Sequence, residues 1–117
     1  MDIEKLRNYC LKKKGVTEEF PFGEDTLVFK VMGKMFCLTG MNPPFYCNLK
    51  CDPEVAIELR EKYEGVTPGY HMNKKHWNSV YFDTNIPDNE ILEWVDQSYN
   101  LVVESLPKKI KDELYKM

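Results

Sequence analysis

Apolar residues recur at helical spacing near the two ends of this chain and alternate with polar ones in its middle. Ile3, Leu6 and Cys10 fall at i, i+3 and i+7 with Leu11 beside them, which predicts an amphipathic helix over 2–13, stopped by Gly15. Val16 to Phe22 reads as an irregular strand, limited by Pro21 and closed by Gly23. Thr26 to Gly40 is the clearest local signal: two β-rich runs flank Gly33-Lys34, a two-residue loop with glycine first, as a type II′ hairpin turn prefers. That register sets Val31 opposite Phe36 and Phe29 opposite Leu38 on one apolar face. The other face then carries Met32/Met35, Lys30/Cys37 and Val28/Thr39, the mixed composition of a sheet packed on one side.

Past Pro43-Pro44 a third alternating run points Phe45, Cys47 and Leu49 one way and Tyr46, Asn48 and Lys50 the other. Asp52-Pro53-Glu54 opens a helix with a capping oxygen, a first-turn proline and an acid at the positive dipole end. Ala56, Leu59 and Tyr63 line its inner side, and Gly65 ends it. Pro68-Gly69 marks a turn, and the polar-aromatic segment Tyr70 to Trp77 leads into a strand over 77–83 with Val80 and Phe82 as core residues. The longest helix is expected from Asp88 to Leu106, its stripe being Ile91/Leu92, Val95, Tyr99, Val102/Val103 and Leu106. Pro107 stops it, and Lys108 to Met117 forms a short helix around Ile110 and Leu114. With no repeat or linker, residues 1–117 read as one domain. The class expected is α+β: a single antiparallel β-sheet with helices packed mainly on one face.

Composition narrows the functional classes. The 117 residues are 43% hydrophobic, enough for a real core rather than a disordered chain. Sixteen basic against nineteen acidic residues leave a net charge of −3, which counts against nonspecific wrapping of nucleic acid. The N-terminus is charged from its second residue, and the longest uncharged run, Met35 to Leu49, is broken by Gly40, Pro43 and Pro44. The expectation is a cytoplasmic protein without a membrane span. Cys10, Cys37, Cys47 and Cys51 are then expected as reduced packing residues rather than a disulfide framework.

No catalytic pattern stands out. His71 and His76 lie five apart, and Cys47 and Cys51 sit four apart across a strand end and a helix cap, so neither pair has common zinc spacing. No nucleophile elbow, phosphate loop or dinucleotide fingerprint is present. Neither a cofactor nor an enzymatic activity is expected. The six carboxylates between Asp83 and Glu104 read as a solvated helix face. More informative is the segment in which Lys74 and Lys75 sit among Tyr70, His71, Asn73, His76 and Trp77. Aromatics interleaved with Lys, Asn and His can stack on bases while the cations meet phosphates. The plain alternative is a solvated loop with Trp77 and Tyr70 tucked into the core edge.

The stretch His71-Met-Asn-Lys-Lys-His-Trp-Asn-Ser-Val80, with Gly33-Lys34-Met35-Phe36 upstream and Asp96-Gln-Ser-Tyr99 downstream, resembles the MmcQ/YjbR family of small bacterial proteins. The resemblance covers residues 2–115 in the same order. It implies a frataxin-like (CyaY-like) fold and a double-wing DNA-binding motif, the wing falling on Thr26–Gly40. Frataxin-type iron binding uses an acidic first helix, and the first helix here is net basic. The leading expectation is therefore DNA binding by a monomer, with Lys30, Lys34, Lys74 and Lys75 on phosphates, Asn73 and His76 in hydrogen bonds, Trp77 or Tyr70 stacking or buttressing, and His71 as a further candidate contact. The alternative is a protein- or small-ligand-binding module in which the same segment lines a pocket.

Overall fold

The computed structural model describes all of residues 1–117. Its strands are β1 (Val16–Glu19), β2 (Thr26–Val31), β3 (Lys34–Gly40), β4 (Tyr46–Lys50), β5 (Val66–Pro68) and β6 (Trp77–Tyr81). Its helices are α1 (Ile3–Leu11), α2 (Pro53–Lys62), α3 (Asp88–Glu104) and α4 (Lys108–Tyr115). All six strands join one antiparallel sheet in the order β1-β2-β3-β4-β6-β5. This is the α+β class expected.

The helices share one side of the sheet because only that side offers a continuous apolar surface. Leu6 and Cys10 of α1, Ile91, Val95 and Val102 of α3, and Leu114 of α4 pack in one cluster with Phe29, Val31, Cys37, Leu49 and Val80 of the sheet. Side chains alternate across a strand, so Val28, Leu38, Asn48 and Ser79 point the other way. They too are buried, yet none belongs to the helix-side cluster. Something other than helices covers that face.

The hairpin turns one residue earlier than the sequence predicts. Val31 pairs with Lys34, and the loop is Met32-Gly33, with φ of 49° and 86°. Positive φ at both positions is the signature of a type I′ turn, not the II′ turn expected from glycine in first place. The shift alone changes which residues oppose each other but not the faces they share; it is a bulge that moves the later residues of β3 to opposite faces. Lys30 opposes Met35 and Phe29 opposes Cys37, leaving Phe36 without a partner on β2. Phe29, Val31 and Phe36 therefore lie in the helix-side core as expected, whereas Leu38 opposes Val28 on the outer face and Thr39 opposes Leu27 on the inner one.

Ser98 of α3 repairs the ladder at the bulge. Its hydroxyl donates to the Phe36 carbonyl at 2.5 Å and accepts from the Lys50 amide at 2.9 Å. Those two groups would otherwise face each other between β3 and β4, where pairing begins only at Cys37 and Leu49. A second part of the same motif fastens α1: Asp96 accepts from the Tyr9 hydroxyl at 2.9 Å and from the Lys13 ammonium at 2.5 Å.

Strand β5 has no counterpart among the expected elements. It is three residues long, ends in Pro68 and pairs only with β6, too short for alternation to register. Phe45 precedes β4 and is exposed, whereas Cys47 and Leu49 point inward as expected. The four cysteines are free thiols, all buried. Burial raises the pKa of the Cys37 thiol well above its ordinary value, and Cys10 and Cys47 beside it push the same way. These thiols act as small hydrophobes.

Candidate functional site

The outer face of the sheet is covered by the segment between β5 and β6. Gly69 starts it by donating its amide to the Trp77 carbonyl at 2.8 Å. A Cβ on Gly69 would stand 2.8 Å from that of Trp77, so no side chain fits where the loop crosses the strand. The next residue is fixed by a closed circuit. Asn48 Nδ2 donates to the Tyr70 carbonyl at 3.0 Å, the Tyr70 amide donates to Ser79 Oγ at 2.9 Å, and Ser79 Oγ donates to Asn48 Oδ1 at 2.5 Å. Asn48 and Ser79 oppose each other on β4 and β6, so the sheet register itself builds this anchor. His71 follows in the left-handed region at φ 60°, a conformation that costs a non-glycine residue roughly 1 kcal/mol or more unless its surroundings hold it. Asn73 closes the segment as a cap: its Oδ1 accepts from the amides of Lys75 at 2.9 Å and His76 at 3.3 Å.

Between this loop and the sheet lies a cleft of about 530 Å³. Leu38 and Asn48 form its floor, Met35 and Tyr46 its sides, and Phe22 from the β1–β2 connection closes one end. Tyr70, His71, Met72 and Asn73 roof it. The Tyr46 ring meets Tyr70 edge-on at 6.3 Å and Tyr81 at 5.3 Å, and Tyr70 lies 4.0 Å from the His71 imidazole. Burial raises the Tyr46 pKa, and the neighbouring Tyr81 and Tyr70 phenols add to the effect, so this phenol keeps its proton. No carboxylate, ammonium or guanidinium lines the cleft.

Of the residues singled out in the sequence, Tyr70, His71 and Asn73 come together here. The lysines do not form one strip with them. Lys30 opposes Met35 on this face, but its ammonium is 3.3 Å from Glu19. Lys34 is exposed at the hairpin tip. Lys74, expected to project freely, instead donates its ammonium to the Gly69 carbonyl at 3.0 Å, while Arg60 takes its backbone carbonyl. Lys75 is exposed. His76 and Trp77 are half-buried; Trp77 opens β6 as expected, but opposite Lys50 on the outer face rather than in the helix-side core. Phe22, Met35, Leu38, Tyr46 and Asn48 were not foreseen as site residues. The outward alternation of Tyr46, Asn48 and Lys50 was visible, but nothing local says that an outer face will be roofed.

These features define a class: one antiparallel sheet, helices on one side, and an open side roofed by a single anchored loop. The chain belongs to the YjbR family, whose model matches residues 11–101. It is 42% identical to the uncharacterized protein YbdF of Escherichia coli O157:H7 over 108 residues, covering 91% of this chain and 88% of that one. It is 35% identical to the uncharacterized protein YjbR of Escherichia coli K12, covering 93% of each. Among solved structures it is similar to Deinococcus radiodurans protein DR2400, a DUF419 domain, with a TM-score of 0.90 and 38% identity across 96% of this chain and 86% of that one.

Proposed function

We propose that this domain is a non-catalytic binding module that holds a small, uncharged ligand in the cleft between the outer sheet face and the 70–73 loop. The observation that carries the reading is the cleft itself: about 530 Å³, concave, mostly apolar and free of fixed charge, within the range of small-molecule sites. The buried polar groups on its floor support binding rather than chemistry. Asn48 and the Ser79 beneath it use their side-chain atoms on each other and on the Tyr70 backbone, so neither is a free acid, base or nucleophile. The proposed setting is a cytoplasmic monomer. In keeping with it, the four thiols are reduced and buried, and no helix is long and apolar enough to cross a membrane.

A second reading, DNA binding with the β2–β3 hairpin as a wing, is favoured by the exposed Lys34 and Lys75. One experiment separates the two. Nile red, an uncharged dye that brightens in apolar sites, is titrated into the protein and into Met35→Trp, which places a large ring in the cleft. The cleft reading expects saturable binding that is unchanged between about 0.05 and 0.2 M salt and about tenfold weaker in the variant. DNA binding expects duplex affinity that falls steeply over the same salt range and drops further in a Lys34→Ala/Lys75→Ala variant. Equal dye binding by protein and variant would refute the cleft reading.

A further inference from the structure

Resting on the cleft as a ligand site, the geometry points to the class of ligand: we infer that the cleft takes a planar, uncharged aromatic molecule with a hydrogen-bond acceptor at the end facing the tyrosines. Three observations converge on it.

The first is the ring arrangement. Tyr46, Tyr70 and Tyr81 form a chain of edge-on and tilted contacts, and His71 extends it from Tyr70 at 4.0 Å. The two tyrosine–tyrosine spacings are those aromatic rings favour. Yet Tyr70 is 53% exposed, so the series presents an open ring among the residues that line the cleft. The left-handed backbone at His71 holds the imidazole beside Tyr70 and keeps that end of the roof aromatic. Met35 and Met72, both half-buried, face the same space. Their thioethers adapt to a flat partner and contact aromatic edges favourably.

The second is the placement of free polar groups. Hydrogen bonds at Tyr46 and Tyr70 are made by their backbone atoms: Thr39 Oγ1 donates to the Tyr46 carbonyl at 2.8 Å, and Asn48 and Ser79 engage the Tyr70 carbonyl and amide. Their hydroxyls remain free. Burial and its phenol neighbours keep Tyr46 protonated, so its free group is a donor. A ligand oxygen or ring nitrogen fits there. An apolar molecule without an acceptor would cover the donor and leave it unsatisfied.

The third is charge. With no carboxylate, ammonium or guanidinium lining the cleft, an ionised ligand would lose hydration without gaining a counter-charge. A saturated ring of equal size would fill the volume but forgo the ring-to-ring preference.

The test uses 2-naphthamide and its fully saturated counterpart, decahydronaphthalene-2-carboxamide, which share one acceptor and differ in flatness and π-character. Affinities are measured by calorimetry, with Nile red displacement alongside. The expected result is 2-naphthamide binding about tenfold or more tightly than the saturated amide. Tyr70→Leu should remove that preference, and Tyr46→Phe should weaken 2-naphthamide severalfold without lowering the melting temperature. Equal binding of the two amides, or a preference that survives Tyr70→Leu, would overturn the aromatic class while leaving a ligand site in place. Nile red binding with no response to either amide would also overturn it. Failure of the dye together with both amides would remove the cleft reading as well.

Discussion

Replacing Ser98 by alanine tests how the sheet tolerates its bulge. The side chain is fully buried and loses only one oxygen, so the cavity term is small. The polar consequence is larger. The Phe36 carbonyl at 2.5 Å and the Lys50 amide at 2.9 Å both lose their partner. Each buried orphan costs about 1–3 kcal/mol, and some relaxation toward direct pairing of the two groups offsets part of the sum. The expected destabilisation is about 2–4 kcal/mol, a fall in melting temperature on the order of 10 °C for a domain of this size. Urea unfolding followed by far-UV circular dichroism reads it as a lower midpoint with an unchanged slope. Ser105→Ala is the control: its hydroxyl donates to the Val102 carbonyl at 2.7 Å on an exposed helix end, where removal should cost about 0.5 kcal/mol or less. Amide exchange adds a local reading, since Lys50 should lose protection before its neighbours on β4. A Ser98→Ala loss no greater than that of Ser105→Ala would refute the idea that this hydroxyl stands in for the missing rung.

Three further outcomes follow from the same geometry. Ser79→Ala removes the middle of the Asn48–Ser79–Tyr70 circuit and should cost about 1–3 kcal/mol in urea unfolding, with Tyr70 amide exchange accelerated. Gly33→Ala meets no atom within 4 Å but must hold φ near 86°, so it should cost about 1–2 kcal/mol from backbone strain alone, while Lys34→Ala beside it should change little. The guanidinium of Arg7, hydrogen-bonded to both oxygens of Glu18 at 2.6 Å, holds that carboxyl below its usual range. A depressed folded pKa means the unfolded chain binds more protons there, so this contribution to stability is present above the ordinary carboxylate pKa of about 4.3 and is lost as pH falls through the folded value. Carboxyl ¹³C titration should show Glu18 returning to the ordinary range in Arg7→Gln, and an ordinary value with Arg7 intact would contradict the pairing.

Which parts of this fold were legible depends on whether the signal was local. The α3 stripe and the Asp52-Pro53 cap are local patterns, and both lie where they were expected. Asn73 was legible as a cap for the same reason: its side chain reaches amides two and three residues on. Leu38 was misplaced because its face depends on a bulge, which adds one residue to a strand without changing its composition. Trp94 and Ser98 were absent from the expected α3 stripe, although both are buried. The hydroxyl of Ser98 is accounted for only by a gap between β3 and β4, some 60 positions earlier (98 against 36). Lys74 read as a free cation because its partner is a backbone carbonyl, which no side-chain pattern encodes. The cleft was hardest to see, since it needs the register of β4 against β6 and the loop between β5 and β6 at once.

The bulge ties the two faces of the sheet together. With strict alternation through β3, Phe36 and Leu38 would share one face and Cys37 would take the other. Because Phe36 has no partner on β2, Phe36 and Cys37 both enter the helix-side core and Leu38 turns outward, where it becomes the floor of the cleft beneath Tyr70–Asn73. Ser98 makes that arrangement tolerable by satisfying the two backbone groups the bulge leaves open. A hydroxyl on the helix side therefore holds the cleft in shape from behind the sheet. The consequence is measurable without unfolding the protein. At a temperature well below its transition, Ser98→Ala should bind Nile red about threefold or more weakly, since any relaxation that restores direct β3–β4 pairing also shifts Leu38. Ser79→Ala, which loosens the roof instead, should weaken the dye as well, whereas Ser105→Ala should not. A folded Ser98→Ala protein with reduced stability and full dye affinity would show that the bulge persists without the hydroxyl, and that α3 sets the stability of this sheet but not the shape of its open face.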